Sequence, residues 1–192
     1  MSDLLGRLAF IHEAERLKNV LRSGHSSAGR PESTAEHSWR LCLLAMSLQD
    51  LLGPLDFERV LKLCVVHDLG EALGGDVPAT AQATAADDKS QRERRDLATL
   101  AQTLPAPLQA SLLALWDEYE HAATPEARVV KALDKIETII QHNQGANPAD
   151  FDYAFNLQYG QKYAAVHPVI AELRALVDAQ TRAHTEHQRP PG

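Results

Sequence analysis

Apolar positions recur at intervals of three and four along most of the chain, the period of helices with one buried face. Leu5, Leu8 and Ile11 mark one face of a first helix, predicted to run to about residue 21. The Ser/Gly-rich stretch RSGHSSAGRPES then interrupts the pattern and reads as a loop. Ser33 followed by Glu36 is a capping box: the serine hydroxyl and the glutamate carboxylate each accept from the other residue's otherwise free backbone N–H. It opens a strongly apolar helix that Gly53-Pro54 ends after residue 52. Asp56 caps the next helix, which carries Val60, Leu61, Leu63, Cys64, Val65 and Val66. Val65-Val66 would also suit a buried strand, but no turn-bounded partner strand lies nearby.

Gly74-Gly75 and Pro78 break the pattern before a polar Ala/Thr/Asp segment. Helical periodicity resumes over residues 90–104 and 107–120. Thr124-Pro125 is an N-cap followed by proline at the first helical position, where its missing N–H costs nothing, and predicts a helix to residue 142. Gly145, Asn147 and Pro148 form a loop, and two more helices follow, the last starting at Pro168. The expectation is an all-α protein of seven or eight helices, one domain over residues 1–183 with a disordered polar tail over 184–192.

Composition narrows the function classes. At 192 residues and 44% hydrophobic, the chain can bury a core without disulfides or structural metal. A net charge of −7, with no stretch rich in Lys and Arg, argues against nucleic acid as a partner. Small acidic ligands stay open, because a few placed arginines suffice for one phosphate. Cys42 and Cys64, the only cysteines, sit in apolar helical runs, which suits a reducing, cytoplasmic compartment rather than a disulfide framework. The N-terminus carries charges at short intervals, unlike a signal peptide, and no apolar run approaches the roughly 18 residues of a membrane span.

The residues able to carry chemistry are His37, His67, Asp68 and Asp134, each in a mostly apolar helical segment. An ionised aspartate there is costly to bury unless paired or bound to a cation. Two imidazoles and two carboxylates form a mixed N/O donor set suited to Mn, Co, Fe, Ni or Zn better than to Ca. Three or four protein ligands leave positions open to water, the arrangement of a catalytic site. A lone helical histidine is usually a surface or satisfied core residue, and a His-Asp dipeptide also arises by chance. Context lifts this pair: an apolar run enters it, Glu71 follows one turn on, and Gly-Gly-Asp-Val-Pro comes next. Glu71 shares a helical face with His67 and Asp68 and is the candidate general acid/base. Aromatics at helical spacing are more often core, so none is assigned a role.

The segments AEHSWRLCLLA, VVHDLGEALGGDVP and VKALDKIE, in this order, resemble the HD-domain superfamily of metal-dependent phosphohydrolases. The likeness is to the branch of bacterial 5′-deoxynucleotidases and their eukaryotic relatives. It implies His37, His67, Asp68 and Asp134 as ligands of one divalent transition metal, with Asp68 and Glu71 catalytic. It implies Arg22 as a phosphate clamp, and Asp76 as a contact to the sugar or to a second cation such as Mg near Glu71 and Asp76. Arg30 is a second candidate phosphate contact. The tryptophan that often accompanies the clamp arginine is missing, since Ser23-Gly24-His25 follow Arg22. The implied activity is phosphate removal from (deoxy)ribonucleoside 5′-monophosphates by a homodimer with a small-molecule nucleotide as its partner. The alternatives are a non-catalytic metal- or nucleotide-binding regulatory domain, or a hydrolase of another nucleotide phosphate. A guanosine tetraphosphate hydrolase usually has Glu-Asp where this chain has Glu71-Ala72.

Overall fold

The computed structural model describes residues 3–76 and 86–188. Residues 77–85, and with them Pro78 and much of the polar Ala/Thr/Asp segment, lie outside the described residues. Among those described are seven helices of ten residues or more: α1 (Asp3–Ala14), α2 (Thr34–Ser47), α3 (Phe57–Val66), α5 (Ala86–Ala101), α6 (Ala106–Glu120), α7 (Pro125–Gln144) and α9 (Pro168–His187). Two single turns, α4 (Glu71–Gly74) and α8 (Tyr153–Asn156), and 3-10 segments at Glu15–Asn19 and Gln161–Val166 add to them. No helix among the described residues is long and apolar enough to cross a membrane.

Local signals set the helix starts. Ser33 and Glu36 form both halves of the capping box, and the side chains of Asp56 and Thr124 accept from the amides of Arg59 and Ala127. α7 is the central helix, and α2, α3, α6 and α9 all pack on it. Leu133, Ile136 and Ile139 of α7 meet Leu41 of α2 and Val60 and Leu63 of α3 in one core cluster. Val65-Val66 closes α3 and is helical.

α2 stops at Ser47, short of the expected end at residue 52, and two further segments differ from the periodicity. α1 stops at Ala14, a 3-10 turn covers Glu15–Asn19, and the supposed loop is a β-hairpin. Its strands β1 (Leu21–His25) and β2 (Pro31–Ser33) run antiparallel, with Leu21 opposite Ser33 and His25 opposite Pro31. The Ser26 N–H donates to the Arg30 carbonyl at 2.8 Å, and Gly29 takes the left-handed φ of +81° that the turn needs. The hairpin is held from outside. Gln141 Nε2 donates to the His25 carbonyl at 2.6 Å, and the Ala146 N–H donates to the Ser26 carbonyl at 3.0 Å. A Cβ on Gly145 would stand 2.1 Å from the His25 oxygen, so only glycine permits this approach. These partners lie over a hundred positions away, and no local pattern announces them.

The second difference is at the C-terminus. α9 continues to His187, past the expected tail boundary after residue 183. Tyr153 stacks on His184 with 4.6 Å between ring centroids, an apolar cover that keeps the last turns on the body of the protein.

Candidate metal centre

Three elements bring the donors together. α2 supplies His37, the end of α3 supplies His67 and Asp68, and the middle of α7 supplies Asp134. His37, His67 and Asp134 are buried, and each offers a ligand atom within 4.8 Å of the others. His37 Nε2 is 3.1 Å from Asp134 Oδ1, and His67 Nε2 is 3.9 Å from the same oxygen. Asp68 Oδ2 lies 3.0 Å from His67 Nε2 and 4.0 Å from His37 Nε2.

A surrounding layer fixes which atoms face inward. His37 Nδ1 bonds the Glu137 carboxylate, and His67 Nδ1 donates to the Cys64 carbonyl at 2.9 Å. Both rings therefore turn Nε2 toward the centre, as ligating histidines do when their other nitrogen is held. Asp134 Oδ2 accepts from the Tyr119 hydroxyl and lies 2.8 Å from Lys135 Nζ, which leaves Oδ1 for the centre. His67 Nε2 is buried and, although 3.0 Å from Asp68 Oδ2, makes no hydrogen bond, a cost that an incoming cation would relieve.

The electrostatics agree. Burial and the Arg22 charge oppose a proton on His37, yet the Glu137 and Asp134 carboxylates outweigh them and hold its pKa up to about 9. Burial pushes the Asp68 and Asp134 carboxyls up, but His67 and Arg22 for the first, and Lys135 and His37 for the second, hold both below the usual carboxylate range. The site draws positive charge inward. His37, His67 and Asp134, with their outer atoms held, fit one divalent transition metal, and Asp68 stands beside them.

Around these donors sit the other expected residues. Arg22, from β1, places Nη1 3.4 Å from Asp68 Oδ2 and donates from Nη2 to Thr138 Oγ1 at 3.0 Å. Glu71 is buried, and Thr34 Oγ1 donates to its Oε2 at 3.1 Å. Burial, then the charges of Asp68 and Asp76, push the Glu71 carboxyl up to about 9. Asp76 is half-buried, and its charge acts on Arg22, Glu71 and Lys89. His67 and Asp68 line a cavity of about 320 Å³ with Lys89, Tyr119, Lys135 and Tyr163.

Arg30 is not part of this group. It is exposed and paired with Glu36 at the start of α2. Arg30→Ala is expected to leave stability almost unchanged, as for an exposed pair, and to leave steady-state kinetics unchanged. A rise in KM for a nucleotide substrate would return Arg30 to the site.

Sequence reasoning passed over Glu137, Thr138, Lys135 and Glu32. Glu137 and Thr138 stand three and four residues after Asp134, on the same buried face of α7, and that spacing was the available signal. Glu32 stands in β2, a segment without helical periodicity to mark it.

Comparison with known proteins matches this arrangement. A family model described as "HD domain" matches residues 14–174. The 5′-deoxynucleotidase HDDC2 of Xenopus laevis is 37% identical over 136 residues, 70% of this chain and 66% of that protein. The human protein of that name is 35% identical over 139 residues, 71% of this chain and 67% of its own length. The matched stretch thus spans about two thirds of these relatives. A crystal structure described as a predicted metal-dependent phosphohydrolase from Magnetospirillum magnetotacticum superposes with a TM-score of 0.78 at 28% identity, covering 100% of both chains. With two histidines and Asp134 gathered for a metal, their outer atoms held, and a family model that matches most of its length, the chain belongs to the HD-domain phosphohydrolases and is related to the 5′-deoxynucleotidases.

Proposed function

We propose that the protein removes phosphate from (deoxy)ribonucleoside 5′-monophosphates. The observation that carries this reading is the fixed guanidinium of Arg22, whose Nη1 stands beside Asp68 at the metal centre. A phosphate monoester near neutral pH carries almost two negative charges, and an arginine fork binds two of its oxygens at once. A divalent cation held by His37, His67, Asp68 and Asp134 would supply positive charge to the phosphoryl oxygens and make water a better nucleophile.

The chain's own residues do the rest. Arg22 orients the phosphate so that water attacks in line with the departing sugar oxygen. Glu71, protonated near neutral pH in its buried position, is suited to give that oxygen its proton. Tyr119 and Lys135 keep Asp134 from turning. Asp76 meets the sugar, or joins Glu71 in holding a second cation such as Mg; its charge beside Glu71 supports both roles. A cytoplasmic homodimer belongs to the same reading. The free thiols of Cys42 and Cys64 support the compartment, and size measurement of the purified protein tests the dimer.

A panel of nucleoside mono-, di- and triphosphates and guanosine tetraphosphate, assayed with the Mn- or Co-loaded protein, tests the function. Release of phosphate from monophosphates is the expected result. Preferred turnover of the longer phosphates would make it another nucleotide hydrolase, and metal binding without any turnover would make it a regulatory domain. Arg22→Lys keeps the charge and loses the fork, so it is expected to impair monophosphate turnover, and Arg22→Ala to impair it further. Metal content should not change in either variant. A larger loss at Arg30 than at Arg22 in steady-state kinetics would overturn the assignment of the clamp.

A further inference from the structure

We propose that Glu32 is a positioning residue that holds Arg22 in the orientation needed to receive phosphate. This rests on the phosphatase reading above. The three guanidinium nitrogens meet three different acceptors from three parts of the chain. Nη1 faces Asp68 Oδ2 at 3.4 Å, Nη2 donates to Thr138 Oγ1 at 3.0 Å, and Nε lies 3.6 Å from Glu32 Oε2. Thr138 and Glu32 grip the inner side of the fork, and Nη1 is left toward the metal centre.

Glu32 is the one acidic residue of the hairpin. It is 5% exposed on β2, across the strand pair from Arg22 on β1. A carboxylate that far from water is costly to keep unless a cation compensates it. Glu36, by contrast, stands outside and holds Arg30. Behind Glu32 lies Glu137, which bonds His37 and whose Oε1 is 3.4 Å from Arg40 Nε. The phosphate clamp and a metal-ligand histidine thus share one buried group of charges.

When phosphate takes Nη1 from Asp68, a guanidinium held only at Nη2 can pivot about the Thr138 hydroxyl. A second hold at Nε prevents the pivot and keeps the fork in the plane of the incoming oxygens. Glu32 touches no reacting atom in this scheme. It acts through Arg22.

The test is a double-mutant cycle with chemical rescue, using the full chain loaded with Mn. Glu32→Ala is expected to raise KM for nucleoside monophosphates roughly 10-fold, and Glu32→Gln less, since it keeps the side chain's volume beside Nε and loses only the charge. In an Arg22→Ala background, Glu32→Ala should add almost no further loss. Added guanidinium should restore part of the activity of Arg22→Ala, and should fail to do so in Arg22→Ala/Glu32→Ala. Binding of inorganic phosphate, measured by calorimetry, should follow the same cycle while metal content stays constant. Additive losses, or rescue that survives removal of Glu32, would overturn the proposal. If Glu32→Ala does not fold, Glu32→Gln carries the cycle through its own coupling to Arg22→Ala. A wild-type protein that turns over no monophosphate sinks the functional reading, and the phosphate-binding cycle then decides Glu32 by itself.

Discussion

Asp134→Asn is expected to abolish metal binding and phosphatase activity together, and also to loosen the fold. The two oxygens of Asp134 serve different ends. Oδ1 lies 3.1 Å from His37 Nε2 in the donor cluster, and Oδ2 lies 2.8 Å from Lys135 Nζ and accepts from Tyr119. Asparagine keeps the shape and removes the charge. The Lys135 ammonium, only 23% exposed at its side chain, would then lose its counter-ion, at a cost of about 3 kcal/mol. Asp68→Ala should lose metal and activity as well, but it leaves no buried lysine uncompensated, so the protein should stay helical and melt nearer the wild-type temperature. Elemental analysis, phosphate release from a chromogenic monoester and thermal melts separate the two variants. Full activity in Asp68→Ala, or undiminished metal in Asp134→Asn, would falsify the ligand assignment.

Glu71→Gln is expected to lower kcat roughly 10²-fold or more while the metal stays bound. Glutamine fills the same volume and still accepts from Thr34, but it has no proton to move. Loss of metal in this variant would make Glu71 a ligand instead. The metal-free proteins should differ with pH in a definite direction. Burial and the neighbouring Asp68 and Asp76 raise the folded pKa of Glu71 from 4.5 to about 9, so between these values the folded state holds a proton that the unfolded state has released. The wild type therefore gives up stability as pH rises through this window, and Glu71→Gln does not. Melting temperatures measured from pH 5 to 9 should diverge steadily in favour of the variant. Parallel curves would show that Glu71 is ionised in the folded protein.

The sequence was most informative where a signal is local. The capping box at Ser33 and Glu36, the Asp56 and Thr124 caps and Pro125 act within one helical turn, and the helix starts follow them. His67-Asp68 and Asp134 stood out because charged or titratable groups interrupt apolar faces. Glu137 did not, because its meaning depends on His37, 100 positions away. The β-hairpin was hidden for the same reason, since its anchors are Gln141, Gly145 and Ala146. Arg30 is the converse case. It lies eight residues from Arg22 in sequence, yet it is exposed and pairs with Glu36.

α7 carries Asp134, Glu137, Thr138 and Gln141 on one face, and these four side chains complete the ligand set, hold His37, seat Arg22 and fasten the hairpin. A point substitution on that face disturbs one of these jobs. Removing a single residue between Asp134 and Glu137 would instead rotate everything after it by about 100°. The ligand would remain in place while the histidine brace, the clamp seat and the hairpin latch all swung away together. The helix therefore works like a keyed shaft: residues on its outer side can be exchanged one by one, but its length between the first and last of these four positions cannot change without misaligning the whole lock.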